Sequence, residues 1–235
     1  MVTHNIEEAV LMCDRIVIFG SNPGRVIGEI EVALPQPRNR LAPAFRALVE
    51  EIYARMTTQP GAAVREGNFP GTGIAMVLPR VSPNLLAGLI ETVAAEPYRG
   101  LADLPPLAAG LHLEVDELFP IAETLQLLRF AEFEGGDIRL TAAGLRFADS
   151  DIDERKRLFA QHLAAYAPLA AHIRRVLDER SSHRAPARRF RDELEDHMSE
   201  ENAADTLRAV TSWSRYAEYF AYDDQADAFS LENPG

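Results

Sequence analysis

Apolar positions recur along this chain with two periods. From His4 to Met12 the spacing predicts a helix, with Ile6, Ala9, Val10 and Cys13 on one face. Asn5, with Glu8 three residues later, resembles a capping pair at its start. Arg15–Phe19 then reads as a buried strand. Gly20-Ser21-Asn22-Pro23-Gly24 reads as a turn, and Arg25–Leu34 as a second strand ended by Pro35 and Pro37. Ala44–Met56 returns to helical spacing, with Phe45, Leu48, Val49, Ile52 and Met56 apolar. Standing alone, the 15–34 hairpin would present unpaired edges, so it is expected to pair with another chain or to be poorly ordered. From Thr57 to Pro79 the periodicity fades and Pro60, Gly61, Gly67, Pro70, Gly71 and Gly73 accumulate, which predicts a connection between domains.

Beyond it, three helices are expected at Asn84–Ala95, Leu101–Leu111 and Asp116–Phe130, the second disturbed by Pro105-Pro106. Ser82-Pro83 supplies a start for the first. Ala131–Glu134, Gly135-Gly136 and Asp137–Thr141 form a strong hairpin pattern. Three helices followed by a hairpin is the order of a winged helix-turn-helix. The order recurs: a long helical stretch at Arg155–Glu179, a helix at Pro186–His197, one capped by Ser199 and running to about Phe220, then a hairpin around Tyr222–Asp224 and Ala228–Leu231. Arg129-Phe130-Ala131-Glu132-Phe133 matches Arg215-Tyr216-Ala217-Glu218-Tyr219 at an offset of 86, and Pro83 and Pro168 stand 85 apart. The fold expected is mainly α (α+β). It has a helix–β-hairpin–helix unit at 1–56, a connection at 57–79, and tandem winged-helix units at 80–150 and 151–235.

Charge narrows the functions open to such a fold. The chain of 235 residues has a formal net charge of −12, unevenly spread. Residues 1–75 carry 7 basic and 8 acidic groups, residues 76–150 carry 5 and 11, and residues 151–235 carry 12 and 17. Phosphate contacts need basic surface, so DNA binding, the usual inference from a winged helix, is disfavoured. The third helix of the first unit is expected to expose Asp116, Glu117 and Glu123. In the second unit Arg184, Arg188, Arg189 and Arg191 are followed by Asp192, Glu193, Glu195 and Asp196, which predicts intrahelical ion pairs instead of a nucleic-acid surface. The single cysteine excludes an internal disulfide, and the six histidines form no metal-ligating pair, so no metal site is expected. No apolar run approaches the length of a membrane span.

Two stretches carry a resemblance. Val2-Thr3-His4-Asn5-Ile6-Glu7-Glu8-Ala9 with Asp14-Arg15-Ile16-Val17-Ile18, then Asn22-Pro23-Gly24-Arg25-Val26-Ile27 and Val32-Ala33-Leu34-Pro35-Gln36-Pro37-Arg38, resemble the end of an ABC transporter ATPase domain. The type is that of the nitrate, sulfonate, taurine and bicarbonate importers, and the resemblance covers about residues 1–56. Asn5 stands where most relatives have Asp. Gly136-Asp137-Ile138-Arg139-Leu140-Thr141-Ala142-Ala143-Gly144, Arg155-Lys156-Arg157-Leu158-Phe159 and Trp213–Asp223 resemble the AAA-associated C-terminal domain appended to some of those ATPases.

The resemblance implies a switch histidine at His4, which in that family contacts the γ-phosphate and orients the attacking water. The rest of the machinery is missing: the sequence holds no Gly-x-x-x-x-Gly-Lys-Ser/Thr loop, and the other parts are expected upstream of Met1. The chain alone is therefore expected to bind no cofactor and hydrolyse no ATP; ATP and magnesium belong to the complete family ATPase. It is expected to be a regulatory or assembly module of a small-anion importer, cytoplasmic or peripheral at the inner face of the membrane. Its partners would be the ATPase core and the permease, or a second copy through the hairpin or the winged helices. The alternative is a winged-helix transcriptional regulator. Trp213, Tyr216, Tyr219 and Tyr222 form an aromatic set, a core pattern first and a partner or ligand surface second.

Overall fold

A computed structural model describes residues 6–20, 25–40, 42–57, 73–134 and 136–231. It is mainly helical, with small antiparallel sheets. In the N-terminal unit α1 (Ile6–Met12) precedes a two-stranded sheet, β1 (Arg15–Gly20) and β2 (Arg25–Glu31), and α2 (Pro43–Thr57) follows it. Strand alternation sends Ile18 and Ile30 to one face, where Ile6 and Val10 of α1 and Phe45, Val49 and Ile52 of α2 cover them. β1 and β2 pair with each other from Arg15↔Glu31 to Gly20↔Arg25 in a two-stranded sheet, so among the described residues no further strand joins its outer edges. The other face keeps Phe19 and Val26 exposed.

Arg38 ties this unit together. Its side chain is 1% exposed. Its guanidinium donates to the carbonyls of Val10 (3.0 Å), Cys13 (2.7 Å) and Leu34 (3.0 Å), and to Asp14 Oδ1 (2.6 Å). It therefore closes the carboxyl end of α1, whose last carbonyls have no partner within the helix.

The remainder contains one order of elements twice. The first copy is α3 (Pro83–Ala94), β3 (Leu101–Asp103), α4 (Leu104–Leu111), α5 (Val115–Leu127), β4 (Ala131–Glu134) and β5 (Asp137–Leu140), with strand order β3-β5-β4. Two helices, α6 (Ala142–Asp149) and α7 (Ile152–Tyr166), lead to the second copy. This is α8 (Pro168–Glu179), β6 (Arg184–Pro186), α9 (Ala187–Glu195), α10 (Glu200–Tyr216), β7 (Ala221–Asp223) and β8 (Ala228–Ser230), with strand order β6-β8-β7.

The copies agree in backbone detail. Leu104 N–H donates to Gly136 O (3.0 Å) as Ala187 N–H does to Asp227 O (2.8 Å). Phe130 N–H donates to Leu125 O as Tyr219 N–H does to Ser214 O, both at 2.9 Å. Left-handed residues recur in pairs: Gly100 with His183, Arg129 with Glu218, Gly136 with Asp227. Arg129 therefore corresponds to Glu218, not to Arg215. The repeat is real, but the five-residue match that suggested it is three positions out of register.

Other expectations need correction. The stretch at Leu101–Leu111 is a strand and then a helix, and Pro105-Pro106 sit harmlessly in the first turn of α4. The stretch at Arg155–Glu179 is two helices that part at Ala167, because Pro168 cannot continue α7 and instead starts α8. The helix expected from Pro186 begins at Ala187, after β6. Cys13 lies one residue past α1 and is half-buried.

One apolar core runs from Met76 to Phe229 through both copies. Part of the expected connection belongs to it. Residues 73–81 form a strap: a 3-10 turn at Gly73–Ala75 packs on α8, and Met76, Leu78 and Val81 are buried.

Candidate functional site

His4 lies outside the described residues. The aromatic set is described, and its members part company. Trp213 is fully buried in α10, with its indole N–H donating to Val81 O (2.7 Å) on the strap. Tyr216 stands edge-on to Phe159, with ring centres 5.2 Å apart. Tyr222 donates its hydroxyl to Asp227 Oδ1 (2.7 Å) across the β7–β8 hairpin. That bond, with burial, pushes its pKa up to about 12.

Tyr219 lines an open groove of about 480 Å³ with Asp153, Lys156, Arg157, Ala160, Arg174, Ala217 and Glu218. α7 and α8 form its walls, and the turn after α10 closes one end. Lys156, the sole lysine of the sequence, holds Glu218 (2.6 Å), and that hydrogen bond raises the pKa of its ammonium. Arg174 donates to Tyr219 O (2.8 Å), pairs with Asp178 (3.2 Å) and lies over the Tyr219 ring, 5.3 Å from its centre. Burial raises the Tyr219 hydroxyl pKa. Arg157 pairs with Glu154 (3.3 Å). Each cation of the groove is thus engaged, and the groove offers none unpaired to an anionic ligand.

The surfaces a winged helix would offer to DNA are equally committed. On α9, Arg188 pairs with Asp192 (3.5 Å) and Arg189 with Glu193 (2.9 Å), the i,i+4 pairs that the spacing predicts. Arg184 and Arg191 reach Asp223 and Asp227. On α5, Glu117 is exposed, but Asp116 and Glu123 are half-buried, contrary to expectation. Burial raises the Glu123 pKa to about 7. Among the described residues no group of His, Cys, Asp and Glu could hold a metal ion, and no helix is long and apolar enough to cross a membrane.

The contact that sequence reasoning missed is on α5. Val115 and Phe119, one turn apart, pack against both the large core and the core of the N-terminal unit. Phe119 also meets Phe133 of β4 edge-on at 5.9 Å. The apolar i,i+4 spacing was visible, but it was indistinguishable from an ordinary inward face.

Known proteins place the chain. It is 35% identical over 68 residues to the aliphatic sulfonates import ATP-binding protein SsuB of Bacillus licheniformis, covering 29% of this chain and 27% of that one. It is 47% identical over 64 residues to the bicarbonate transport ATP-binding protein CmpC of Synechococcus elongatus (25% and 10%). It is 48% identical over 42 residues to the nitrate transport protein NasD of Klebsiella oxytoca (17% and 16%). The chain thus spans between a tenth and about a quarter of the length of these relatives. No solved structure matches it. The family model of the C-terminal AAA-associated domain matches residues 105–223, half of the chain, from the first turn of α4 to the end of β7. Since that stretch takes in most of both copies of the repeated order, the chain belongs to the C-terminal AAA-associated domain family.

Proposed function

We propose that this chain is the C-terminal, regulatory and assembly part of an ATP-binding subunit of an ABC importer for small anions of the sulfonate, nitrate or bicarbonate kind. Residues up to Thr57 are the last elements of the ATPase fold. The two copies beyond are winged-helix units turned to protein contacts, and the whole works at the cytoplasmic face of the membrane beside a permease. The observation that carries this is the joint likeness to import ATP-binding proteins and to the AAA-associated domain. The packing of the N-terminal unit on α5 supports it, because it puts a transporter element against the family domain. The acidic and paired surfaces of α5 and α9 give no support to the DNA-binding alternative. Tyr219 is the member of the aromatic set that a partner would meet.

Calorimetric titration of this polypeptide with MgATP is expected to show no binding; tight, magnesium-dependent binding would overturn the proposal. The positive arm places residues 1–235 after a sulfonate-importer ATPase core that lacks its own final segment. ATP hydrolysis is expected to return, and to be lost in His4→Ala. A chimera that hydrolyses ATP equally well with His4→Ala refutes the assignment of the first unit.

A further inference from the structure

Both third helices of the repeat hold a piece of the chain that precedes them. On α10 the piece is the strap. Met76, Leu78 and Val81 are buried there, Leu78 N–H donates to Thr206 Oγ1 (3.1 Å), and Trp213 donates to Val81 O (2.7 Å). Arg80 adds a pair with Asp205 at 3.8 Å. On α5 the piece is the N-terminal unit, held where Val115 and Phe119 meet its separate core. Residues 58–72 join the two pieces covalently.

The two holds differ in kind. The strap combines three buried apolar side chains with two hydrogen bonds shielded from water, where a broken bond leaves an unsatisfied group. The N-terminal unit is held by two half-buried side chains of α5 and by the approach of α2 to β4, and it has a core and an Arg38 clamp of its own. The internal contacts of the unit do not run through α5. The strap cannot leave α10 without opening the large core.

We propose that the Val115–Phe119 stripe of α5 is a releasable docking surface for residues 6–52, and that the strap on α10 is the fixed pivot that stays when the unit departs. Docking of the N-terminal unit on α5 is then the variable that the rest of the chain senses or sets. The inference rests on the packing, and it stands or falls separately from the importer assignment.

The test uses the full chain with Val115→Asp. A carboxylate in the first turn of α5 suits the helix dipole, and because Val115 also touches the large core, the Leu78 amide and Trp213 report whether that core is kept. Small-angle scattering is expected to shift to a larger radius of gyration. The Leu78 amide should keep its hydrogen-exchange protection within about twofold, and the emission maximum of Trp213 should not move. Leu78→Asp, as the contrast, should lose protection across α10 and red-shift Trp213. The proposal is overturned if Val115→Asp leaves the scattering profile unchanged, or if it releases the Leu78 amide together with the N-terminal unit. Should Val115→Asp unfold the chain, Val115→Ser replaces it under the same criteria.

Discussion

Gly144 sits in the first turn of α6 beneath the chain reversal at Phe130. A Cβ built there would stand 2.1 Å from Phe130 O, where real Cβ atoms essentially never come within 3.0 Å. Gly144→Ala must therefore push α6 away from Phe130 by about 1 Å, toward an ordinary carbon–oxygen contact. The obstacle is backbone, so no rotamer relieves it. Three bonds lie in the path. Thr141 N–H donates to Phe130 O (3.0 Å), Thr141 Oγ1 donates to Arg129 O (2.7 Å), and the same hydroxyl caps the helix by accepting Gly144 N–H (3.1 Å). Each bond contributes about 1 kcal/mol, the cap included. Alanine returns up to about 1 kcal/mol through its helix propensity. The net expected loss is about 2 to 3 kcal/mol. Gly88, in the middle of α3, has no described atom within 4 Å of its virtual Cβ, so Gly88→Ala keeps only the propensity term and should gain about 0.5–1 kcal/mol. Urea denaturation followed by Trp213 fluorescence reads both variants, because that single tryptophan is buried in the large core. The reasoning is wrong if the two glycine variants shift the midpoint in the same direction, or if Gly144→Ala stays within about 0.5 kcal/mol of the parent.

Arg38→Met should cost the N-terminal unit at least about 3 kcal/mol, because it strips several buried carbonyls of their donor; hydrogen exchange in α1 and β1–β2 should rise steeply, and parent-like protection would refute the clamp. Glu123 holds its proton in the folded chain up to about pH 7, whereas the unfolded chain loses it near 4.5, so its contribution to stability is intact below about 4.5 and falls away as pH rises through 7. The total is about 3 kcal/mol, and Glu123→Gln should remove it; denaturation midpoints of parent and variant that run parallel from pH 5 to 8 would contradict this. Trp213→Phe leaves Val81 O without its buried donor and should cost about 1–3 kcal/mol, with faster exchange along the strap as its signature.

The long amphipathic elements were legible in the sequence because their pattern is local. α3 and α8 announce themselves through a proline in the first turn followed by apolar residues at helical spacing. β3 and β6 do not. Each has three residues and buries one alanine, Ala102 or Ala185, so no alternation exists to be read; they form only because β5 and β8 come alongside. α6 hid in Thr-Ala-Ala-Gly, whose helix start depends on Thr141 reaching back to Arg129. The register of the repeat misled for a related reason. Equivalence is set by backbone conformation at Arg129 and Glu218, whose side chains are unlike, while the similar five-residue words are merely neighbours. At the site, the identity of Trp213 as a core residue was readable from spacing, but its bond to Val81 joins residues 132 positions apart. The docking role of Val115 and Phe119 and the clamp of Arg38 likewise depend on partners remote in sequence.

The paired left-handed positions also set where spare stability remains. Two of the three are glycine in the first copy, at Gly100 and Gly136, while the second copy holds the same turns with His183 and Asp227, and neither copy has glycine at Arg129 or Glu218. An L-residue pays roughly 1–2 kcal/mol for that conformation, and glycine recovers most of this despite its greater freedom when unfolded. Glycine at 183 would ease one left-handed turn but give up the His183 Nδ1 contact with Leu177 O (3.1 Å), and glycine at 218 would give up the Lys156–Glu218 pair (2.6 Å), so the second copy trades backbone ease for side-chain ties that the glycines of the first cannot make.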